Sequence, residues 1–433
     1  MQVEQLRTRK RIVDAFESRR LESLDSTCRI ELVKHTAELF DRRLDRDVVE
    51  ERSGRHRGSI ERSVDATVNW LASVDDSLEN AFGSTEYARQ PFAHSAADAA
   101  TTIRNAGGPV VAVLPRNDRG DLAPYVLAQC LLAGCPFVAV PSTREAATYV
   151  TETYVECLRD ACKAILDEPE AIADAFAVTE IADDREEKLD GLTTLVTGTT
   201  QLVAFGSDDG IDRIVDGLDD AGTAPQTVIR MGSGHSATAV LAPDEERIDE
   251  YCREICASVA FDRGDDCTAT NVLYVDESVS EAVRAGLHEA IEQLVPGEDF
   301  VPPTPERAER IATKLPTVSG SAFEESALPV VELAESDPVE EYPVPILQVK
   351  SVSGVDGFVE TMCADLGDRR SLALSVFTDG VDVTELAPRV PAHLIKENRP
   401  THRIDLSIPH QGRFLVADLM EKRYVEHAPG TSH

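Results

Sequence analysis

The sequence predicts an α/β protein built on doubly wound parallel sheets. Three observations carry that prediction. Between residues 108 and 240, short apolar runs of strand length alternate with amphipathic helical stretches, the pattern of parallel βαβ units. A second strand–helix series begins near Gly232. The chain has 433 residues, 42% of them hydrophobic, which is enough for two large cores.

The elements follow in order. Residues 1–90 predict helices, because Leu6, Ile12, Val13 and Phe16, then Ile30, Leu32, Val33, Ala37, Leu39 and Phe40, recur at helical spacing. Residues 53–59 are a polar break, and residues 60–73 form another amphipathic helix. Residues 109–115 read as a buried strand, 122–133 as a helix, 134–141 as a strand and 146–164 as a helix. Residues 192–197 and 202–206 read as strands, 211–221 as a helix and 227–231 as a strand. Sheets of this kind bind nucleotides at the carboxyl ends of their strands. In the second series, 237–241 and 270–275 are strands and 248–260 and 279–294 are helices. Residues 296–337, rich in Pro, acid and Ser, read as an irregular excursion. Strands at 344–352, 372–377 and 393–396 and a helix at 354–365 complete the series.

Charge and cysteine usage narrow the function classes. The net charge is −35, and only 8 of the 43 basic residues are Lys. Acid spread along the whole chain, with Arg preferred to Lys, suits a surface that stays hydrated in concentrated salt. We read it as adaptation to a salty cytoplasm. It argues against nucleic acid, whose phosphates it repels. The N-terminus has no apolar stretch of signal-peptide type, and no run reaches membrane-spanning length. The cytoplasm is therefore the expected compartment. Nine cysteines, an odd number without a CxxC pair, suggest neither disulfides nor a zinc site. Cys252 and Cys256 share a helical face and read as core packing.

One cysteine stands apart. Phe261-Asp262-Arg263-Gly264-Asp265-Asp266-Cys267-Thr268-Ala269 is a polar, Gly-bearing loop that runs into an apolar strand. A thiol on a turn near backbone N–H groups, with a rigid strand behind it, is presented as a nucleophile. The three nearby aspartates work against thiolate formation.

Anchors elsewhere fall in a telling order. They are Leu114-Pro115-Arg116-Asn117, Val140-Pro141-Ser142, Phe205-Gly206-Ser207, Met231-Gly232-Ser233-Gly234-His235-Ser236, Gly264–Ala269 and Glu340-Glu341-Tyr342-Pro343-Val344. From about residue 108 to 412 this order resembles the aldehyde dehydrogenase superfamily, with its I-P-W-N, K-P-S, F-T-G-S, E-L-G-G-K-S, G-Q-x-C-T-A and E-x-F-G-P motifs. The resemblance implies an aldehyde dehydrogenase-like fold: two Rossmann-related domains with the active site in a cleft between them. A helical region over 1–90 would belong to a dinucleotide-binding domain over 91–231. A domain over 232–410 would carry Cys267. The segment 411–433, with the run 412–419, would add a strand to a partner subunit, implying a homodimer.

The resemblance also implies roles. Cys267 would be the nucleophile, and Asn117, with the Cys267 backbone N–H, would hold the oxyanion. Val140, Ser142, Gly206, Ser207, Gly232 and Glu340 would fall on the NAD or NADP site, with Glu341 one position from the ribose carboxylate. Read on their own, Asn117 is a turn residue, Gly206 and Gly232 are turn glycines, Glu340 is a solvated carboxylate and His235 is structural. The departures matter as much. The family's general-base Glu falls on Met231, its cofactor-binding Lys on Val140, an acidic ribose ligand on Thr143 and the F-G-P glycine on Pro343. Without the base, hydrolysis of a Cys267 thioester should be slow. A CoA-linked enzyme avoids that step, and Phe261-Asp262 and Gly234-His235-Ser236 look like the fatty acyl-CoA reductases of the bioluminescence type. The expected substrate is an acyl-CoA or an aldehyde. An ordinary aldehyde dehydrogenase and a ligand-binding pseudoenzyme of the same fold are the alternatives.

Overall fold

The computed structural model describes residues 2–91, 100–115, 120–142, 145–181, 185–232, 234–295, 309, 328–342, 344–403, 405–406, 408 and 411–426. The chain divides into two compact units, one of Met1–Gly232 with Leu406–His433 and the other of Ser233–Asp405.

The first unit opens with five helices, Gln2–Glu17, Ser26–Arg43, Arg46–Ser53, Arg57–Ala72 and Val74–Phe82. Strands β1 (Arg89–Pro91) and β2 (Ala100–Ala106) follow, then β3 (Val110–Val113), β4 (Phe137–Val140), β5 (Phe176–Val178), β6 (Gln201–Phe205) and β7 (Thr227–Met231). Strands β3 to β7 form a parallel sheet in the order β5-β4-β3-β6-β7. Its residues alternate strictly between two cores. Val110, Ala112, Phe137, Ala139, Phe176 and Val203 face one, and Val111, Val113, Val138, Val140, Ala177 and Leu202 the other. Burial on both faces is why these strands read as unbroken apolar runs. The helix Leu122–Ala133 is apolar all round for the same reason, and nearly every residue in it is buried.

The structure corrects the reading of residues 192–197. They belong to the helix Arg185–Leu195 and the turn after it. Leu192, Leu195 and Val196 have helical spacing and pack into one core. The intervening β-branched Thr193 and Thr194 are accommodated because their hydroxyls donate to the carbonyls four residues back, Leu189 at 2.7 Å and Asp190 at 3.0 Å.

The C-terminal segment also differs from expectation. Residues 415–418 form a single helical turn, and the strand comes later, as Met420–Glu426. It pairs antiparallel with β2 of its own chain, making the three-stranded sheet β1-β2 plus this terminal strand.

The second unit holds a six-stranded parallel sheet. Its strands are β8 (Ala237–Val240), β9 (Val272–Asp276), β10 (Val330–Glu332), β11 (Leu347–Val352), β12 (Ser371–Phe377) and β13 (Ala392–Glu397), and the terminal strand Met420–Glu426 is β14. The order is β10-β11-β9-β8-β12-β13. Helices Ile248–Ala260 and Ser280–Glu292 cover one face, and Gly354–Leu366 covers the other. Strand β10 lies in the stretch expected to be irregular and adds to the sheet edge beside β11. Most of residues 296–327 lies outside the described residues.

Candidate functional site

In the first unit the sequence-selected residues gather at the carboxyl edge of the sheet. The order β5-β4-β3-β6-β7 winds outward from β3 in both directions, so the topological switch lies between β3 and β6. Ligands of doubly wound sheets settle outside the strand ends at that point. Strand β4 delivers Val140 and Ser142, β6 delivers Gly206 and Ser207, and β7 delivers Met231 and Gly232. Gly206 has φ 153, and among the described residues a Cβ built on it meets Ile211 Cγ1 alone, at 3.9 Å. Among the described residues nothing crowds this backbone just before the helix Asp208–Asp220. Ser207 caps that helix, its Oγ accepting from Gly210 N at 3.2 Å.

Other residues at this edge are structural. Val140 is 1% exposed and packs in the core, and its carbonyl accepts from Leu114 N at 2.9 Å. Its side chain is therefore not presented to a ligand, unlike the family's Lys. Ser142 is buried, with its carbonyl accepting from Thr148 Oγ1 at 3.3 Å. At Gly232 a Cβ would lie 2.3 Å from Asp208 Oδ1, the tip of a partly exposed side chain that can turn aside. Met231 is 2% exposed and lies in the main core, so this position holds a packing residue where the family has its base. Asn117, Thr143 and Pro343 lie outside the described residues.

In the second unit, the loops that lead into β8, β9 and β11 converge around Cys267. Gly234 packs backbone to backbone against it: a Cβ there would be 2.0 Å from Cys267 O and 2.9 Å from Cys267 Cα. Ser236 Oγ donates to Cys267 O at 2.8 Å. Asp266 turns its carboxylate onto Thr268, accepting from the backbone N at 2.7 Å and from Oγ1. Gly264 has φ 66, and a Cβ there would be 2.3 Å from Val344 C, so the segment before β11 lies directly on the cysteine loop. These contacts fix the loop from both sides.

The Glu340–Glu341 doublet sits on the same frame. Gln348 Nε2 donates to Glu340 O at 2.7 Å and Asn271 O at 3.1 Å, and its Oε1 accepts from Glu340 N at 3.2 Å. Tyr342 donates to Glu340 Oε2 at 3.0 Å. Burial, reinforced by that carboxylate, holds the Tyr342 phenol above its ordinary value. Glu341 points elsewhere, and its Oε1 accepts from Gly234 N at 3.4 Å. Of the doublet, it is Glu341 whose carboxylate reaches the residue packed on Cys267. His235 is buried, and its Nε2 lies 3.0 Å from Arg369 Nη1. Guanidinium only donates, so Nε2 accepts and Nδ1 carries the proton. That assigns His235 as a neutral, structural ring.

The cysteines divide by environment. Cys130, Cys135, Cys157, Cys162, Cys252 and Cys256 are buried. Burial pushes the thiols of Cys135, Cys162, Cys252 and Cys256 up to about 12. Cys267 is partly exposed, on the loop just described.

The aldehyde dehydrogenase family model matches residues 8–306, most of the chain. The chain belongs to the aldehyde dehydrogenase family. Solved structures agree on the fold. Betaine aldehyde dehydrogenase from Staphylococcus aureus is similar with a TM-score of 0.77 at 15% identity, over 100% of this chain and 89% of that one. Salicylaldehyde dehydrogenase from Pseudomonas putida G7 gives 0.75 at 16% identity, over 100% and 92%. A glyceraldehyde-3-phosphate dehydrogenase from Methanocaldococcus jannaschii, complexed with NADP, gives 0.74 at 12%, over 98% and 94%. No curated protein matches the chain significantly in sequence.

The family's nicotinamide cofactor fits the first unit on one observation of this structure. Among the described residues nothing crowds the Gly206 backbone at the mouth of a helix N-terminus, a place where backbone can approach a pyrophosphate closely. Sequence reasoning missed what braces the cysteine loop, namely Ser236 and Asp266, and Gln348 tying Glu340 to Asn271 beside it. Their signal was too ordinary, since short polar residues next to strands are common. Glu341 had a signal in the doublet itself.

Proposed function

We propose that this aldehyde dehydrogenase family member is an NAD(P)-dependent reductase that takes an acyl group from acyl-CoA onto Cys267 and releases it as an aldehyde. The observation that carries this reading is Met231, a core residue at the position of the family's general base. With no carboxylate there, a Cys267 thioester is poorly hydrolysed, and exchange with a thiol is the step that remains open.

Cys267 Sγ attacks the acyl carbon. The Cys–S–acyl bond forms, the acyl–S bond to CoA breaks, and the thiol proton ends on the CoA sulfur. The loop braces from Ser236, Asp266 and Gly264 keep Sγ and the Cys267 N–H in one geometry, and a misplacement of about 1 Å would cost on the order of a hundredfold in rate. By the motif match, the Cys267 N–H and Asn117 would stabilise the oxyanion, one such donor being typically worth about 3 kcal/mol. Gly206, Ser207 and the first turn of helix Asp208–Asp220 would hold the cofactor pyrophosphate, and the motif match assigns its ribose to Glu340. When bound, the reduced cofactor supplies the hydride. The first-turn carboxylates of Asp208 and Asp209 oppose an anionic ligand at low ionic strength, consistent with a protein built for a salty cytoplasm.

The test is oxidation of NADPH or NADH by acyl-CoA in high salt, followed by absorbance. Consumption that vanishes in Cys267→Ala is expected. No consumption with any acyl-CoA would refute the reading. A second reading, oxidation of free aldehyde with thioester hydrolysis, is favoured by Glu341, a carboxylate near Cys267 that could replace the missing base. Activity with aldehyde and oxidised cofactor, without CoA, would select it.

A further inference from the structure

We infer that the turn after β13 positions Cys267, and that Lys396 holds this turn in shape. The inference rests on Cys267 as the acylated nucleophile, which both readings above share.

Lys396 lies near the end of β13, an edge strand, and is buried. Its Nζ donates to the carbonyls of Pro400 at 3.3 Å, Thr401 at 2.9 Å and Arg403. An ammonium has three N–H groups and no acceptor, so three carbonyls use its whole capacity. Asn398, at φ 50, starts the bend, and its side-chain amide exchanges two bonds of 2.8 Å with the backbone of Thr378. The chain after β13 is thus folded back around one cation.

The turn meets the cysteine loop at both ends. Thr401 is fully buried, and its Oγ1 lies 2.6 Å from Ser258 Oγ and 3.0 Å from Thr270 Oγ1. Thr270 Oγ1 also lies 3.1 Å from Ser258 Oγ and 2.9 Å from Thr238 Oγ1. Four hydroxyls therefore form one buried cluster joining β8, the helix Ile248–Ala260, the turn and Thr270, three residues after Cys267. A satisfied buried network of this kind rigidifies what it joins. The next residue, His402, stacks on Phe261, six residues before Cys267, with ring centroids 4.8 Å apart. Ser236 and Asp266 brace the loop at its centre, and the turn fixes where it begins and ends. Lys396 and Thr401 act through the loop and are positioning residues.

The test reads amide hydrogen exchange by mass spectrometry and acetylation of Cys267 by 4-nitrophenyl acetate, on the full-length protein without cofactor. Thr401→Val keeps the side-chain shape and removes the hydroxyl. It should speed exchange in residues 261–270 about fivefold, the equivalent of one lost hydrogen bond, and leave the helix Ser280–Glu292 unchanged. Acetylation should slow about tenfold, since a misplacement of about 1 Å costs on the order of a hundredfold. Thr401→Ser should restore both. Lys396→Met should reproduce Thr401→Val, and the double variant should be no worse than the slower single one, because both changes break the same device. Wild-type exchange and acetylation in Thr401→Val, faster exchange spread equally over residues 280–292, or single-variant effects that multiply would each overturn the inference and leave Cys267 as nucleophile. Absence of acetyl-Cys267 in the wild type would overturn both this inference and the proposed function.

Discussion

Gly234→Ala puts a methyl group where the structure has none to spare. The new Cβ would stand 2.0 Å from Cys267 O and 2.9 Å from Cys267 Cα. Both neighbours are backbone, so no side-chain rotation relieves the contact. To reach even the tightest tolerable separation, the Cys267 carbonyl or the entry to β8 must move by about 1 Å, a displacement that costs on the order of 10² in rate when it falls on reacting groups. The same shift strains the Ser236 Oγ bond to Cys267 O, now 2.8 Å long. Overpacking typically costs about 1–3 kcal/mol, and a lost hydrogen bond about 1 more. The variant should therefore acylate Cys267 about a hundredfold more slowly, with a lower urea midpoint. The assay is 4-nitrophenyl acetate turnover, read beside urea unfolding by circular dichroism. A Gly234→Ala protein with wild-type midpoint and wild-type acylation rate would show that Gly234 and Cys267 do not touch, and the geometry of the site would fall with it.

Three further outcomes are expected. Lys350 and Asp365 form an ion pair whose side chains are only 1% and 6% exposed, with Tyr274 donating to the same carboxylate at 2.9 Å, so Asp365→Asn leaves a buried cation unpaired and should cost about 3–5 kcal/mol in urea unfolding; a loss below about 1 kcal/mol would contradict the burial of the pair. Burial, aided by Arg399, pushes the Lys396 ammonium down to about 8, although its Nζ donates to the carbonyls of Pro400, Thr401 and Arg403. The folded state therefore binds fewer protons than the unfolded one between about pH 8 and the free-lysine value near 10.4. The charge costs stability in full below pH 8, and that cost is relieved as pH rises through the window, so the wild-type-minus-Lys396→Met unfolding free energy should climb between pH 8 and 10; a flat difference would contradict it. Finally, reduced cofactor should bind more tightly as NaCl rises from 0.1 to 1 M, because the screening length falls from about 10 to about 3 Å around Asp208 and Asp209, and Asp209→Asn should flatten that dependence; fluorescence titration showing weaker binding with salt would contradict it.

Much of the fold was legible because parallel strands and their helices leave strong periodic marks. Helices 122–133 and 248–260 and strand 227–231 appear where their apolar patterns put them. Residues 192–197 did not, because their β-branched Thr and Val content suits a strand, while the helical spacing of Leu192, Leu195 and Val196 and the Thr hydroxyls bonding back along the chain make them helix. Strands β5 and β10 are three residues each, too short to carry a period, and their pairing comes from the neighbouring strand. The terminal strand was invisible as a local pairing, because its partner β2 lies more than 300 residues earlier in the chain.

The candidate site was legible at the Cys267 loop and at the carboxyl edge of the first sheet, where loop chemistry and a family motif coincide. What holds Cys267 was not legible. Gly234 on its backbone, Gln348 tying Glu340 to Asn271, and Glu341 turned toward Gly234 are contacts between loops far apart in sequence. Val140 shows the opposite case, a motif position whose side chain the fold sends into the core.

The most direct test of the account is to find the acyl group on its proposed carrier. Full-length protein incubated in high salt with acyl-CoA and no nicotinamide cofactor should gain the mass of one acyl group. Peptide mapping should place it on Cys267, and added reduced cofactor should discharge it as aldehyde. An unmodified Cys267, or an adduct that persists in Cys267→Ala, would contradict the account.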